Sequence, residues 1–381
     1  MSPWAPAQGA AVMKPQDVVH SISNEPARKS GRGRAIFSRV QVVALVILAA
    51  CGGGAAPSAP TPAGPRTLYV SPSGSDRSPG SIAQPWQTLK YAVSQLQAGD
   101  TLFVRGGTYT GGDNVIDSQA ATIHSGASWT KPITIAGQPG ERVTIMAPEG
   151  REGIRLTTGA PSYLIFQDLV IDMSNQTFGT GAGPTGVYVG YGSHHNRFLR
   201  LEIMNNQGVG IGFSSTNGNS PFNEIIDSSI HDNGRYPGEN SGYGMYISTS
   251  DNLIEGNSVY NNSGYGMHFY DNSGPQIVSR NSIRRNRIYD NGTHGGTNYG
   301  IVIAWGEDNV ITGNTIYRNR GGILVYTNGL NNQVFDNNIY ENGPFPGILV
   351  QYARGTVVND NAMNGQQLVD LGDETRTSGN R

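Results

Sequence analysis

In the C-terminal half of the chain, short runs of alternating apolar and other residues recur behind a glycine: Gly244-Met-Tyr-Ile247, Gly266-Met-His-Phe269, Gly300-Ile-Val-Ile303, Gly322-Ile-Leu-Val325 and Gly347-Ile-Leu-Val350. Weaker copies begin at Gly186 and Gly208. A period of two marks strands with one face buried. Between the runs, asparagine returns every five residues and an aliphatic residue follows two later. The first block has Asn252, Ile254, Asn257, Val259 and Asn262, the next Asn309, Ile311, Asn314, Ile316 and Asn319, and the third Asn332, Val334, Asn337, Ile339 and Asn342. The five glycines from Gly244 to Gly347 are 22, 34, 22 and 25 residues apart. That spacing is a structural repeat, and with no helical pattern inside it the repeat predicts a solenoid of short parallel strands. Aliphatic positions then point inward in rows. Asparagine at the corners tolerates a left-handed backbone and bonds to the asparagine one coil away.

One helical pattern precedes the repeats. Leu89, Ala92, Val93 and Leu96 share a face, predicting a short helix over 86–97 that plugs the N-terminal end of the solenoid, where open strand edges and apolar rows would otherwise meet water. The predicted organisation is therefore all-β. Residues 66–370 form one parallel β-helix, with a cap over 66–110 and a polar tail over 371–381.

The first 65 residues read as an address. Arg28, Lys29, Arg32, Arg34 and Arg39 precede an apolar run from Val40 to Ala50 broken only by Gln41, too short for a membrane span. The run ends Leu48-Ala-Ala-Cys51-Gly52, and Cys51 is the sole cysteine. This resembles the lipobox of bacterial lipoproteins, which implies a signal peptide over 1–50, lipidation at Cys51 and a Gly/Ala/Pro tether over 51–65. The expected location is the bacterial cell envelope, lipid-anchored and facing periplasm or exterior, with the membrane contacted through that anchor alone.

Composition sharpens the picture in two respects. Charged residues are only 14% of the chain, while Gly 53, Pro 21 and 33 asparagines suit a fold made of turns. A formal charge of -2 gives no footprint for nucleic acid, which is not expected as a partner. Lysine is confined to Lys14, Lys29, Lys90 and Lys131.

Leu68-Tyr-Val-Ser-Pro-Ser-Gly-Ser-Asp76, Pro85-Trp-Gln-Thr-Leu-Lys-Tyr-Ala-Val93 and Ala98-Gly-Asp-Thr-Leu-Phe-Val-Arg-Gly-Gly-Thr-Tyr109 resemble the cap of secreted β-helix proteins, notably family 9 pectate lyases. The resemblance covers about residues 66–370. It implies a right-handed parallel β-helix and a polysaccharide or cell-surface glycan as partner. That family uses a lysine base and a calcium held by aspartates. Here no lysine lies from Arg151 onward and no run of aspartates occurs, so lysine chemistry on the central coils is excluded; no cofactor is required by the sequence, and calcium is left open.

Registering the coils on their glycines gives an outward row at the second position after glycine: Tyr188, Gly210, Tyr246, His268, Val302, Leu324 and Leu349. Just beyond it stand Tyr270, Asp271, Trp305, Tyr326 and Tyr352, then Asp251 and Glu307. Two insertions, Gly234 to Asn240 and Gly292 to Thr297, flank the coil of His268 and bring Arg235, Tyr236, Glu239 and His294. Aromatic rings suit stacking on sugars, and histidine with carboxylates suits acid–base work. The candidate catalytic residues are His268, Asp271, Glu307 and Glu239; the candidate glycan contacts are Tyr246, Tyr270, Trp305, Arg235, His294 and Tyr326. His194 and His195 read as solvated turn residues. Two functions follow: an extracytoplasmic polysaccharide lyase or hydrolase, or a non-catalytic glycan-binding or surface scaffold protein. A histidine or arginine within about 6 Å of two carboxylates in the groove favours the first, and an aromatic face without them the second.

Overall fold

Three short strands and three tight corners make each coil. Leu253–Glu255, Ser258–Tyr260 and Met267–Tyr270 form one coil, and Ser282–Arg284, Arg287–Tyr289 and Ile301–Ala304 form the next. They stack in parallel with Ile254 over Ile283, Val259 over Ile288 and Phe269 over Ile303. The computed structural model describes residues 64–177, 184–234, 242–271, 277–294 and 296–381. Cys51, the segment expected to be a signal peptide and most of the expected tether lie outside them. Among the described residues the coils build three parallel sheets, of 12, 9 and 10 strands, here called first, second and third in their order along a coil. Inward rows of Ile, Val, Leu, Met and Phe from all three sheets merge into one core, fully buried at Ile254, Val259, Phe269, Ile283, Ile288 and Ile303.

In the central coils each corner pairs two residues with separate tasks. Asn257 donates from its backbone N–H and from Nδ2 to Oδ1 of Asn286, both at 2.9 Å, and Asn286 does the same to Asn314. Similar ladders run from Asn252 through Asn281 and Asn309 to Asn332, and from Asn233 through Asn262, Asn291 and Asn319 to Asn342. These amides are buried and satisfied, the condition a buried polar row must meet. The left-handed residue is a different one. It is the residue immediately before each ladder asparagine, such as Asp251, Gly256, Asn261, Arg280, Arg285 and Asp290. The single-residue role expected for the corner asparagines is thus split, because a side chain turned inward to bond along the axis leaves the bend to its neighbour.

The cap helix is Leu89–Ser94, shorter than the expected 86–97. Its start is fixed from outside: the Asp76 carboxylate accepts from the amides of Gln87 and Thr88, and Thr88 caps the first turn by accepting from the Tyr91 N–H. Trp86 is therefore extended and bridges to Val70. The predicted face holds, with Leu89, Ala92, Val93 and Leu96 buried in the core. At the other end, residues 371–381 are not a polar tail. Leu368–Asp373 and Arg376–Ser378 extend the third and first sheets, and Asn380 closes its ladder by accepting from Asn361. Polar residues suffice there because this coil shows much of its surface to solvent.

The three outer surfaces differ. The first sheet carries ion pairs such as Arg197–Glu224 and Arg284–Glu255. On the second, His231, Tyr260, Tyr289, Tyr317 and Tyr340 stack ring on ring, with centroids 4.6 to 5.0 Å apart. The third carries the candidate residues.

Candidate functional site

The outward row of the third sheet follows the register read from the glycines: Tyr188, Gly212, Tyr246, His268, Val302, Leu324 and Leu349 lie side by side on successive strands. Gly212, not Gly210, fills the second place, since that strand begins at Ile211. Close stacking dictates the glycine before each strand. A Cβ on Gly266 would fall 2.6 Å from the Gly300 carbonyl oxygen and 2.7 Å from Cγ2 of Ile288.

His268 points outward as predicted but is not a surface histidine. It is only 3% exposed, because the rings of Tyr243, Tyr246, Tyr265 and Tyr270 surround it with centroids 5.0 to 5.5 Å away. Its Nδ1 is buried without a hydrogen-bond partner. Burial drives its pKa down to about 3, so the imidazole is neutral in any ordinary buffer. Burial also pushes the Tyr265 phenol up to about 12 and holds those of Tyr243 and Tyr246 well above their ordinary value. The whole cage is uncharged near neutrality.

Asp271 follows Tyr270 on the same coil, is 8% exposed and accepts a hydrogen bond from the Ser215 hydroxyl, two coils back. Glu307 does not join this pair. It lies past the corner after Ile301–Ala304, where its carbonyl receives the Arg280 N–H and its charge acts on Arg280, itself bonded to Asp251. Trp305 and Tyr326 do belong to the face. With Tyr265, Tyr270, Phe345, Leu324 and Leu349 they pack around Tyr299, Val302 and Ala304, forming an apolar cluster outside the main core. Arg235, Tyr236 and Glu239 lie outside the described residues. The sequence reading missed Tyr243, Tyr265 and Tyr299, although each directly precedes its glycine and the repeated Tyr-Gly pair was the available signal.

His294 is exposed and lines a different feature, a cleft of about 220 Å³ at the corner between the second and third sheets, with Asp232, Asn261, Ser263 and Thr293. Asp232 of this cleft accepts from Nδ1 of His231 at 2.6 Å, and His231 faces Glu202 from Nε2 at 3.5 Å. A histidine between two carboxylates therefore exists, but on the second sheet, with its ring stacked on Tyr260. His194 and His195 are not merely solvated. Their Nδ1 atoms are 2.7 Å apart, and His195 stacks on Tyr163, its pKa lowered by burial and by His194.

The profile of the Pel9A-like right-handed β-helix region matches residues 68–344. The chain belongs to this Pel9A-like family. Pectate lyase PEL9 of Emericella nidulans is 30% identical over 167 residues, 40% of this chain and 37% of that protein. The uncharacterized protein YwoF of Bacillus subtilis is 32% identical over 162 residues, 40% of this chain and 31% of that one. The chain thus spans about a third of the length of these relatives. Among solved structures, a rhamnogalacturonan lyase shares the fold with TM-score 0.58 at 16% identity, covering 83% of this chain and 87% of that one. Pectate lyase Pel9A does so with TM-score 0.53 at 20% identity, covering 78% of each. This member of the Pel9A-like family has its two lysines among the described residues in or near the cap, Lys90 on the helix beside Asp113 and Lys131 just before Ile133–Gly137. Among the described residues no three His, Cys, Asp or Glu side chains come together as a metal site. The calcium donor set implied by the resemblance is not found among the described residues.

Proposed function

We propose that this Pel9A-like protein binds polysaccharide along the outer face of the third sheet, around Tyr246, Tyr270, Trp305 and Tyr326. The observation that carries the reading is the second apolar cluster, built outside the core on the open surface of a solenoid whose other two faces are ion-paired or ring-stacked. Aromatic and aliphatic side chains on successive coils offer flat apolar contact to the faces of sugar rings. Family membership supports a glycan as ligand. A sealed, neutral His268 with Asp271 already bonded to Ser215 supports binding over acid–base catalysis on this face. The test is a panel of pectate, alginate, chondroitin and neutral glycans, assayed for binding by affinity electrophoresis and for cleavage by ultraviolet absorbance and reducing ends. Retention without product is the expected result.

A second reading, cleavage, is favoured by the corner cleft, where a carboxylate is held by a buried histidine that faces another carboxylate. Product formation lost in Asp232→Asn would support it.

We also propose that Cys51 is lipidated and anchors the protein in the cell envelope, facing periplasm or exterior. The basic and apolar segments before Cys51 support this. Cys51→Ala should move the protein from the membrane to the soluble fraction, and unchanged membrane association contradicts the anchor.

A further inference from the structure

We infer that the corner cleft beside His294 takes a single sugar unit by hydrogen bonding, with the Asp232 carboxylate as its central acceptor. This rests on the glycan reading above and adds a second contact for the same class of ligand, a chain end or side branch that carries adjacent hydroxyls. Asn205, Asp232 and Asn261 reach the cleft from the same corner position on three successive coils, each in a left-handed backbone just before a ladder asparagine. Thr293 and His294 reach it from the insertion that begins at Gly292. At about 220 Å³ the cleft is smaller than the ~300 Å³ where drug-sized pockets begin, so it has room for one ring and not for a run of polymer.

Asp232 is held differently from other corner aspartates. Asp168, Asp251 and Asp290 are each closed by two bonds from an arginine one coil on, Arg200, Arg280 and Arg318 respectively. Asp232 instead accepts from Asn261 Nδ2 through Oδ1 and from His231 Nδ1 through Oδ2. A carboxylate offers about four acceptor positions, so each oxygen keeps capacity for another donor, and the side chain is 40% exposed. His231 is itself fixed, its ring stacked on Tyr260 at 4.6 Å and 10° from parallel. The acceptor is therefore anchored through both oxygens before a ligand arrives, which lowers the ordering cost of binding.

Two adjacent hydroxyls of a sugar ring can donate to the two oxygens of one carboxylate, and hydrogen bonds to an ionised acceptor are roughly twice as strong as neutral ones. The Asn205 amide and the Thr293 hydroxyl supply both donors and acceptors for the remaining ring oxygens. Recognition here works by hydrogen bonds, whereas the proposed contact on the third sheet works by apolar ring faces. The two contacts can therefore be separated by mutation.

The test titrates the intact protein with galactose, rhamnose and xylose as free monosaccharides, followed by ligand-observed NMR. The expected result is saturable binding of at least one of them, weakened about tenfold or more in Asp232→Ala. Asp232→Asn keeps the shape but offers one acceptor oxygen and no charge, so it should weaken binding in the same direction even if the alanine variant folds poorly by circular dichroism. Asp290→Ala, at a corner closed by Arg318, and Trp305→Ala should leave monosaccharide binding as in the parent. Equal binding in Asp232→Asn and the parent overturns the inference. Polymer binding that is weakened in Trp305→Ala, with no monosaccharide bound, also overturns it and leaves the glycan reading intact. Binding of neither polymer nor monosaccharide overturns the glycan reading and this inference with it.

Discussion

His268 and Tyr270, two positions apart on one strand, stand side by side on the outside of the solenoid with their rings 3° from parallel and their centroids 5.5 Å apart. An outward position on a β-helix strand should meet water, yet this imidazole does not. Tyr243 and Tyr265, each from the residue before a strand glycine, close over it, and Tyr246 fills the side toward the preceding coil.

That burial makes His268 one contributor to the loss of stability in acid. The folded pKa of about 3 lies below the ordinary histidine value of 6.5, so between them the unfolded chain binds the proton and the folded one does not. Stability from this source is intact above pH 6.5 and falls as the pH drops toward 3, by up to about 1.4 kcal/mol per pH unit. His268→Gln should flatten this part of the urea-midpoint profile relative to the parent. A parallel profile would show that His268 is not held neutral.

The asparagine ladders should be costly to interrupt. Asn286→Ala leaves the Asn257 N–H and Nδ2 without their shared acceptor in the core, each group buried. A loss of ~1–3 kcal/mol is expected by urea denaturation. An exposed neighbour such as Arg287→Ala should cost much less.

Close approach of coils at the strand glycines predicts a sharper defect. Gly266→Ala places a methyl group against the Gly300 carbonyl and Ile288, neither of which can move without shifting a coil. Melting temperature should fall well below that of Gly343→Ala, where a Cβ meets nothing within 4 Å. Equal melting temperatures would contradict the packing described.

The aromatic rings divide into those stacked on one another and those on the proposed binding face. Tyr289 is stacked on both sides by Tyr260 and Tyr317, so its faces are spent on structure. Tyr289→Ala should lower stability by roughly 0.5–1.5 kcal/mol beyond its lost burial and leave glycan binding unchanged. Trp305→Ala should do the reverse in affinity electrophoresis.

Much of the fold was legible because the repeat writes the same physics many times. Glycine marks the close approach, the alternation after it marks the inward row, and Asn252, Asn257 and Asn262 mark three corners of one coil. The outer register was legible for the same reason, which is why Tyr246, His268, Val302 and Leu324 fall together. What surrounds His268 was not, since tyrosines before the glycines were not counted with the strand face although they fold onto it. Glu307 was placed by register and His294 by its inserted loop, yet both sit at corners, where alternation carries no information because the chain has left the strand. The final coil was misread because its residues are polar, whereas backbone pairing and Asn380 hold it in place.

If the third sheet's outer face binds glycan as proposed, its aromatic side chains must carry much of the affinity. The most direct measurement is the dissociation constant of the best-bound polymer of the panel for the parent and for Trp305→Ala/Tyr326→Ala, with circular dichroism confirming the fold. Affinity should weaken by about tenfold or more, some 1.4 kcal/mol or greater. An unchanged constant in a folded double variant would contradict it.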